Sequence, residues 1–226
     1  MGELKIIGTS HIAKQSLQDV QKAVEEGSPD IIALELDKER LQALFSKERH
    51  KPRLRDIRHI GVKGYLFLIL GEYMERKMGD YVGVKPGSEM KLAAKLAKEK
   101  QLGIALIDRH IRITLKRLSK AITIKVILRF IWDIIAGFFT RKKLQFDLKT
   151  VPQEELILKI LEETKQKYPG VYNVLVHERN VYMARRLIAL MRKEPEKKIL
   201  AVMGAGHVKE VRKIVDGALL GAAEVG

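Results

Sequence analysis

Two stretches almost at opposite ends of this chain follow one plan. Leu4-Lys5-Ile6-Ile7-Gly8-Thr9-Ser10-His11-Ile12 is an apolar run that ends in G-x-x-H. Lys198-Ile199-Leu200-Ala201-Val202-Met203-Gly204-Ala205-Gly206-His207-Val208 does the same. A short apolar run closed by glycine and followed by helical periodicity reads as a strand buried on both faces, and such strands belong to helix-covered parallel sheets. Ligands of open α/β sheets gather outside the carboxyl ends of the strands, where loops hand over to helices. His11 and His207, placed there on strands distant in sequence, could meet over one site. Histidine is the commonest metal ligand and a frequent acid or base.

Two further runs fit the plan. Ile31–Leu36 ends in the charged cluster Glu35-Leu36-Asp37-Lys38-Glu39-Arg40, and Leu102–Ile107 ends at Asp108-Arg109-His110. Helices are expected over 12–26, for about ten residues after Asp37, over Tyr65–Met78, over Glu89–Lys100 with Ser88 as N-cap, and once or twice within 111–139. Pro152 marks the first turn of a helix over Gln153–Tyr168, Pro169-Gly170 ends it, and 171–193 and 207–216 complete the set. The pattern predicts an α/β fold with a mainly parallel central sheet, flanking helices and a large helical insertion. One domain over 1–226 is expected, with helical insertions at about 47–90 and 111–193. The small apolar tail Gly217–Gly226 reads as a frayed end or a junction.

Composition bounds the chemistry. The chain has 226 residues and no cysteine, so disulfides, zinc–thiolate sites and thiol nucleophiles are excluded. A metal site must then use His, Asp, Glu and water, which suits Mn, Co, Zn or Fe. The net charge of +15 attracts anionic lipid, acidic substrates or nucleic acid, or reflects a lysine-rich solvated shell of the kind found in proteins from hot environments. Scarce aromatics and the lack of an RNA-recognition pattern argue against specific nucleic-acid binding. No secretory signal is visible, so the cytoplasm is expected. The basic, amphipathic stretches within 47–78 and 120–143 suit a membrane surface or a partner, and the apolar helices near 65–70 and 127–139 suit a homodimer.

Four strand ends thus point at polar groups: His11, Glu35, Asp108 with Arg109, and His207. Two neutral imidazoles and a carboxylate make a three-ligand site that leaves positions open for water, so that bound water is acidified or a carbonyl polarised. Glu35 also suits a general base, or a partner that fixes a histidine tautomer. Arg40 could clamp a carboxylate or fix Glu35. Arg109 could bind a substrate anion, stabilise oxyanion charge, or simply pair with Asp108. His177-Glu178-Arg179-Asn180 is either a solvated helix face or a polar face on the cleft. Thr9 and Ser10 read as helix-start hydroxyls rather than nucleophiles. Gly204-Ala205-Gly206 lacks the third glycine of a dinucleotide fingerprint, because position 209 is lysine.

On five elements the chain resembles the TraB/PrgY family, above all its archaeal pheromone-shutdown members, and through them the Tiki and GumN-like proteins. These are Gly8-Thr9-Ser10-His11; Ala33-Leu34-Glu35-Leu36-Asp37 with Arg40; Asp108-Arg109 with Thr114 and Arg117; Glu178-Arg179-Asn180 with Met183-Ala184; and Gly204-Ala205-Gly206-His207. The resemblance implies a fold similar to the erythromycin esterase and ChaN-like proteins and a metal-dependent hydrolase. His11, Glu35 and His207 would hold Mn, Co or Zn. Glu178 would be a fourth ligand or general base, and Arg40, Arg109 and Arg179 would orient substrate or stabilise the oxyanion. Tiki-like members are regarded as Mn- or Co-dependent proteases, and TraB-like members are linked to inhibition of peptide pheromones, so a peptide substrate is expected. Non-catalytic capture of a peptide or small ligand, and a membrane-peripheral scaffold, are the alternatives. Archaeal relatives commonly carry a hydrophobic membrane region after this domain. Its absence here implies either that the region lies beyond this sequence or that the chain is a soluble variant.

Overall fold

The structure is a computed structural model that describes residues 3–9, 14–46, 54–82, 87–129, 132 and 153–223. His11 therefore lies outside the described residues, as does most of the stretch 130–152.

The four expected strands form: β1 (Leu4–Thr9), β2 (Ile31–Leu34), β3 (Gly103–Leu106) and β4 (Ile199–Gly204). All pairings are parallel, and the spatial order is β1-β4-β2-β3. The last strand is therefore inserted between the first two. Every residue of β2 and β4 is buried, whereas the edge strands β1 and β3 are partly exposed. That is why β2 and β4 are unbroken apolar runs.

Side chains of β4 alternate between two cores. Ile199, Ala201 and Met203 face one side, together with Ile31 and Ala33 of β2. Leu200 and Val202 face the other, together with Ile32 and Leu34. The second core is closed by α1 (Lys14–Gly27), through Val20, Ala23 and Val24, and by α4 (Ser88–Glu99), through Met90, Ala93, Ala94 and Ala97. The first is closed by α8 (Glu178–Lys193), through Met183, Ala184 and Leu187, and by α9 (Ala205–Ala223), through Val211 and Val215. The result is a helix–sheet–helix sandwich with the strand ends open at one edge.

The other helices are α2 (Lys38–Phe45), α3 (Ile57–Val82, after a 3-10 turn over Leu54–Asp56), α5 (Ile111–Ala121), α6 (Gln153–Lys167) and the short α7 (Pro169–Tyr172). A third small core joins Leu118 and Ile122 to Val174, with Phe67 and Val171 against them.

Several boundaries differ from expectation for local reasons. Helix α3 begins at Ile57 rather than Tyr65, because a kink at Gly61 (φ 75°, ψ 163°) joins two helical pieces. Only glycine takes that backbone readily. Gly87, in the left-handed region, precedes α4, so Ser88 is its first residue rather than its N-cap. Pro169 opens a helix instead of closing one, since its missing N–H costs nothing in a first turn. From there the backbone runs through a π turn over Asn173–His177 straight into α8. The apolar tail is helical as far as Ala223, which makes α9 longer than the predicted 207–216.

Among the described residues, no helix is long and apolar enough to cross a membrane.

Candidate functional site

Strands β2, β3 and β4 deliver Glu35, Asp108 and His207 to the same edge of the sheet. Glu35 follows β2 directly and is only 3% exposed. Its Oε2 accepts a 2.6 Å hydrogen bond from the Gly204 N–H at the end of the neighbouring β4. The backbone thus grips the carboxylate from the strand beside it. Asp108, also buried, follows β3. His207 stands in the first turn of α9, with its Nε2 3.4 Å from Glu35 Oε1.

Close packing of α9 on β1 sets this position. A Cβ on Gly8 would lie 3.0 Å from the Ala205 Cα and from Val208 Cγ2, so only glycine admits the helix start so near. The glycine of the first G-x-x-H thereby seats the helix that carries the second histidine. Gly206 is packed likewise beneath Leu161 of α6, which explains this glycine without any bound phosphate.

Arg179, from the first turn of α8, fills the space among these groups. Nη2 donates to Glu35 Oε1 and, at 2.7 Å, to Asp108 Oδ2. Nε donates to Asp108 Oδ1 at 3.2 Å. Nη1 donates to the Leu175 carbonyl at 3.3 Å and lies 3.2 Å from His207 Nε2. A guanidinium has five N–H donors, and this one uses all five. Burial opposes its charge, but the Glu35 and Asp108 carboxylates more than offset that, so its pKa is raised further. Asp108 also accepts from the Arg109 N–H at 2.8 Å and from Arg40 Nη1 at 3.2 Å. Arg40 is placed by Asp37, which takes the Arg40 N–H with Oδ1 and the Ile111 N–H with Oδ2, so one carboxylate caps both α2 and α5.

Sequence reasoning left open a structural pair between Asp108 and its neighbour Arg109. The structure pairs Asp108 with Arg179 and Arg40, and sends the Arg109 guanidinium elsewhere. It donates to Glu178 Oε2 (2.7 Å), Thr114 Oγ1 (2.9 Å) and the Val174 carbonyl (2.6 Å). Arg117 grips the same carboxylate with Nε (2.6 Å) and Nη2 (2.7 Å), and Asn173 adds a fourth contact at 3.2 Å. Hydrogen bonds from Arg117, opposed by partial burial and joined by those from Arg109, hold the Glu178 carboxyl below its ordinary pKa. An acid so held is a poor proton acceptor. The π turn contributes to both clusters, since its Val174 carbonyl accepts from Arg109 and its Leu175 carbonyl from Arg179. Such turns recur at functional sites.

Two participants carried no role in the sequence reading. Asn180, fully buried, approaches His207 Nδ1 with Oδ1 at 2.5 Å. Glu210, one turn along α9, binds Asn180 Nδ2 at 2.6 Å and His177 Nδ1 at 2.5 Å. The i, i+3 spacing of His207 and Glu210 was the available signal, because it puts both on one helix face. Thr9 is buried and donates to the Met203 carbonyl at 3.3 Å.

As potential metal donors, His207 and Glu35 suit one ion, with a borderline nitrogen beside a hard oxygen. Among the described residues, no three His, Asp or Glu side chains gather as a metal-ligand cluster. The third expected donor, His11, lies outside the described residues, two positions after Thr9, which is in register with Gly204.

A sequence profile of the TraB/PrgY/gumN family matches residues 2–217. The chain belongs to that family. It is 37% identical over 213 residues to an uncharacterised protein of Methanocaldococcus jannaschii, covering 92% of this chain and 52% of that protein. It is 28% identical over 232 residues to a TraB domain-containing protein of Bos taurus and 27% identical to one of Homo sapiens, in both cases over 92% of this chain and 61% of the relative. The chain thus spans little more than half the length of these relatives. The family match runs through every strand end described above.

Proposed function

We propose that this TraB/PrgY/gumN family member is a metal-dependent hydrolase acting on peptides, with its site at the carboxyl ends of β1, β4 and β2. The observation that carries the reading is the approach of His207 Nε2 to within 3.4 Å of Glu35 Oε1 in a buried setting. A carboxylate and an imidazole are brought together there on adjacent strands, where α/β sheets bind ligands. His11, Glu35 and His207 would hold Mn, Co or Zn, which when bound would acidify a water or polarise a peptide carbonyl. Arg179 orients Glu35. Arg40, whose side chain is 37% exposed beside Asp108, is the cation available to a substrate carboxylate or oxyanion. In this reading Glu178 is the anchor of Arg109 and Arg117, and Arg109 in turn braces the π turn behind Arg179.

The test is calorimetric titration of chelator-stripped protein with Mn, Co and Zn, with His11→Ala and His207→Ala beside the parent chain. One site per chain is expected, lost in both variants, and metal-dependent cleavage in a peptide library should accompany it. No binding of any ion, or cleavage that survives chelation, overturns the reading. Stoichiometric peptide capture without turnover would move the chain to the sequestering class.

A further inference from the structure

Glu210 has one role that its half-buried setting on α9 conceals. A carboxylate only accepts hydrogen bonds, so the group facing Glu210 Oε2 at 2.6 Å must be the Asn180 amide nitrogen. This fixes which way the amide points. Its oxygen is then the atom 2.5 Å from His207 Nδ1. An amide oxygen also only accepts, so Nδ1 must carry the hydrogen. At the other end of the ring Nε2 lies between Arg179 Nη1, which only donates, at 3.2 Å and Glu35 Oε1, which only accepts, at 3.4 Å, and a lone pair on Nε2 satisfies the shorter of the two contacts.

We propose that Glu210 and Asn180 are positioning residues that lock His207 as the Nδ1–H tautomer, with the Nε2 lone pair turned toward Glu35 and Arg179. The sequence of constraints runs from Glu210, one turn along α9 from His207, through the fully buried Asn180 to the imidazole. His177 braces the outer end, 2.5 Å from the second Glu210 oxygen. The catalytic importance of the lock rests on the hydrolase reading above, whereas the tautomer itself does not.

The experiment is a long-range proton–nitrogen correlation spectrum of metal-free protein with labelled histidines, at one fixed pH, with the His207 signals assigned by their loss in His207→Gln. A single Nδ1–H signature is expected in the parent chain. An Nε2–H signature, or averaging between the two, overturns the proposal. Glu210→Lys replaces an obligate acceptor with an obligate donor, so the amide should turn over and the His207 signals should shift toward Nε2–H. Glu210→Ala, a milder change at a partly exposed position, should give averaged signals. An unchanged His207 signature in either folded variant would remove Glu210 from the relay. Metal titration gives a second readout: outer partners of a histidine ligand typically contribute 10–100-fold in affinity, so Glu210→Ala should bind about tenfold more weakly or worse. If the parent chain binds no metal yet shows the Nδ1–H form, the hydrolase reading fails and the lock stands.

Discussion

Glu178 and Arg179 are neighbours in the chain and opposites in their surroundings. Glu178 is an acid enclosed by two arginines and an asparagine. Arg179 is a cation enclosed by two acids and a histidine. Both have their hydrogen-bonding capacity filled, with four contacts to the Glu178 oxygens and five N–H groups spent by Arg179. The difference lies in what each joins. Glu178 ties α8 to α5, helix to helix, and Arg117 on its outer side is exposed. Arg179 ties α8 to the ends of three strands, and no residue of its cluster except Arg40 is substantially exposed. One centre braces helix against helix, and the other holds together the strand-end groups that the proposed function assigns to the site.

The comparison breaks most sharply if Arg179 is removed. Arg179→Ala leaves Glu35 as a buried carboxylate without a cationic partner and Asp108 with Arg40 alone, and losing one partner of a buried pair costs about 3–5 kcal/mol. Urea denaturation should show a loss of that size. A loss below about 1 kcal/mol would mean that water reaches the strand ends and solvates the two carboxylates.

Glu178→Gln should cost less, about 2–3 kcal/mol, since it removes charge-assisted hydrogen bonds but leaves an amide oxygen for one arginine. This variant also carries a pH test. The folded-state pKa of Glu178 lies below its ordinary value of 4.5. Its contribution is therefore fully present above that value and is lost as pH falls through the lowered folded one. The stability gap between parent and variant should hold constant at neutral pH and close in acid. A gap that persists at low pH would assign the effect to packing rather than charge.

Much of this arrangement can be read from residues alone, and the rest is hidden for definite reasons. Strands buried on both faces must be apolar runs, so β2 and β4 announce themselves, and the first polar residue after each run marks a strand end. That logic reaches Glu35, Asp108 and His207. It cannot reach the pairing of Asp108 with Arg179, because 71 residues separate them and arginines adjacent in sequence compete. Nor does it reach Asn180 or Glu210, whose roles depend on how α8 and α9 pack together. A π turn has no recognisable residue pattern, yet it aims the Val174 and Leu175 carbonyls at two arginines. Gly61 and Pro169 show that a residue which often ends a helix can instead kink one or begin one. Only the backbone around Gly61 reveals a kink, and only the chain path after Tyr168 reveals that Pro169 begins a helix.

The smallest effect is expected where the two centres come closest to resembling each other, at their exposed cations. Arg40 reaches Asp108 at 3.2 Å but leaves 37% of its side chain in solvent. Water screens such a contact, and exposed pairs contribute about 0–1 kcal/mol. Arg40→Gln should therefore fold normally and lose less than about 1 kcal/mol, because Asp108 keeps both of its bonds from Arg179. On the proposed hydrolase reading, the same exposure that makes Arg40 dispensable for folding would make it available to substrate, so peptide turnover should fall more than stability does. The decisive comparison is between these two readouts in one variant. A large loss of stability would make Arg40 a structural partner of Asp108, equivalent to Arg179. Unchanged turnover would remove it from the substrate's path.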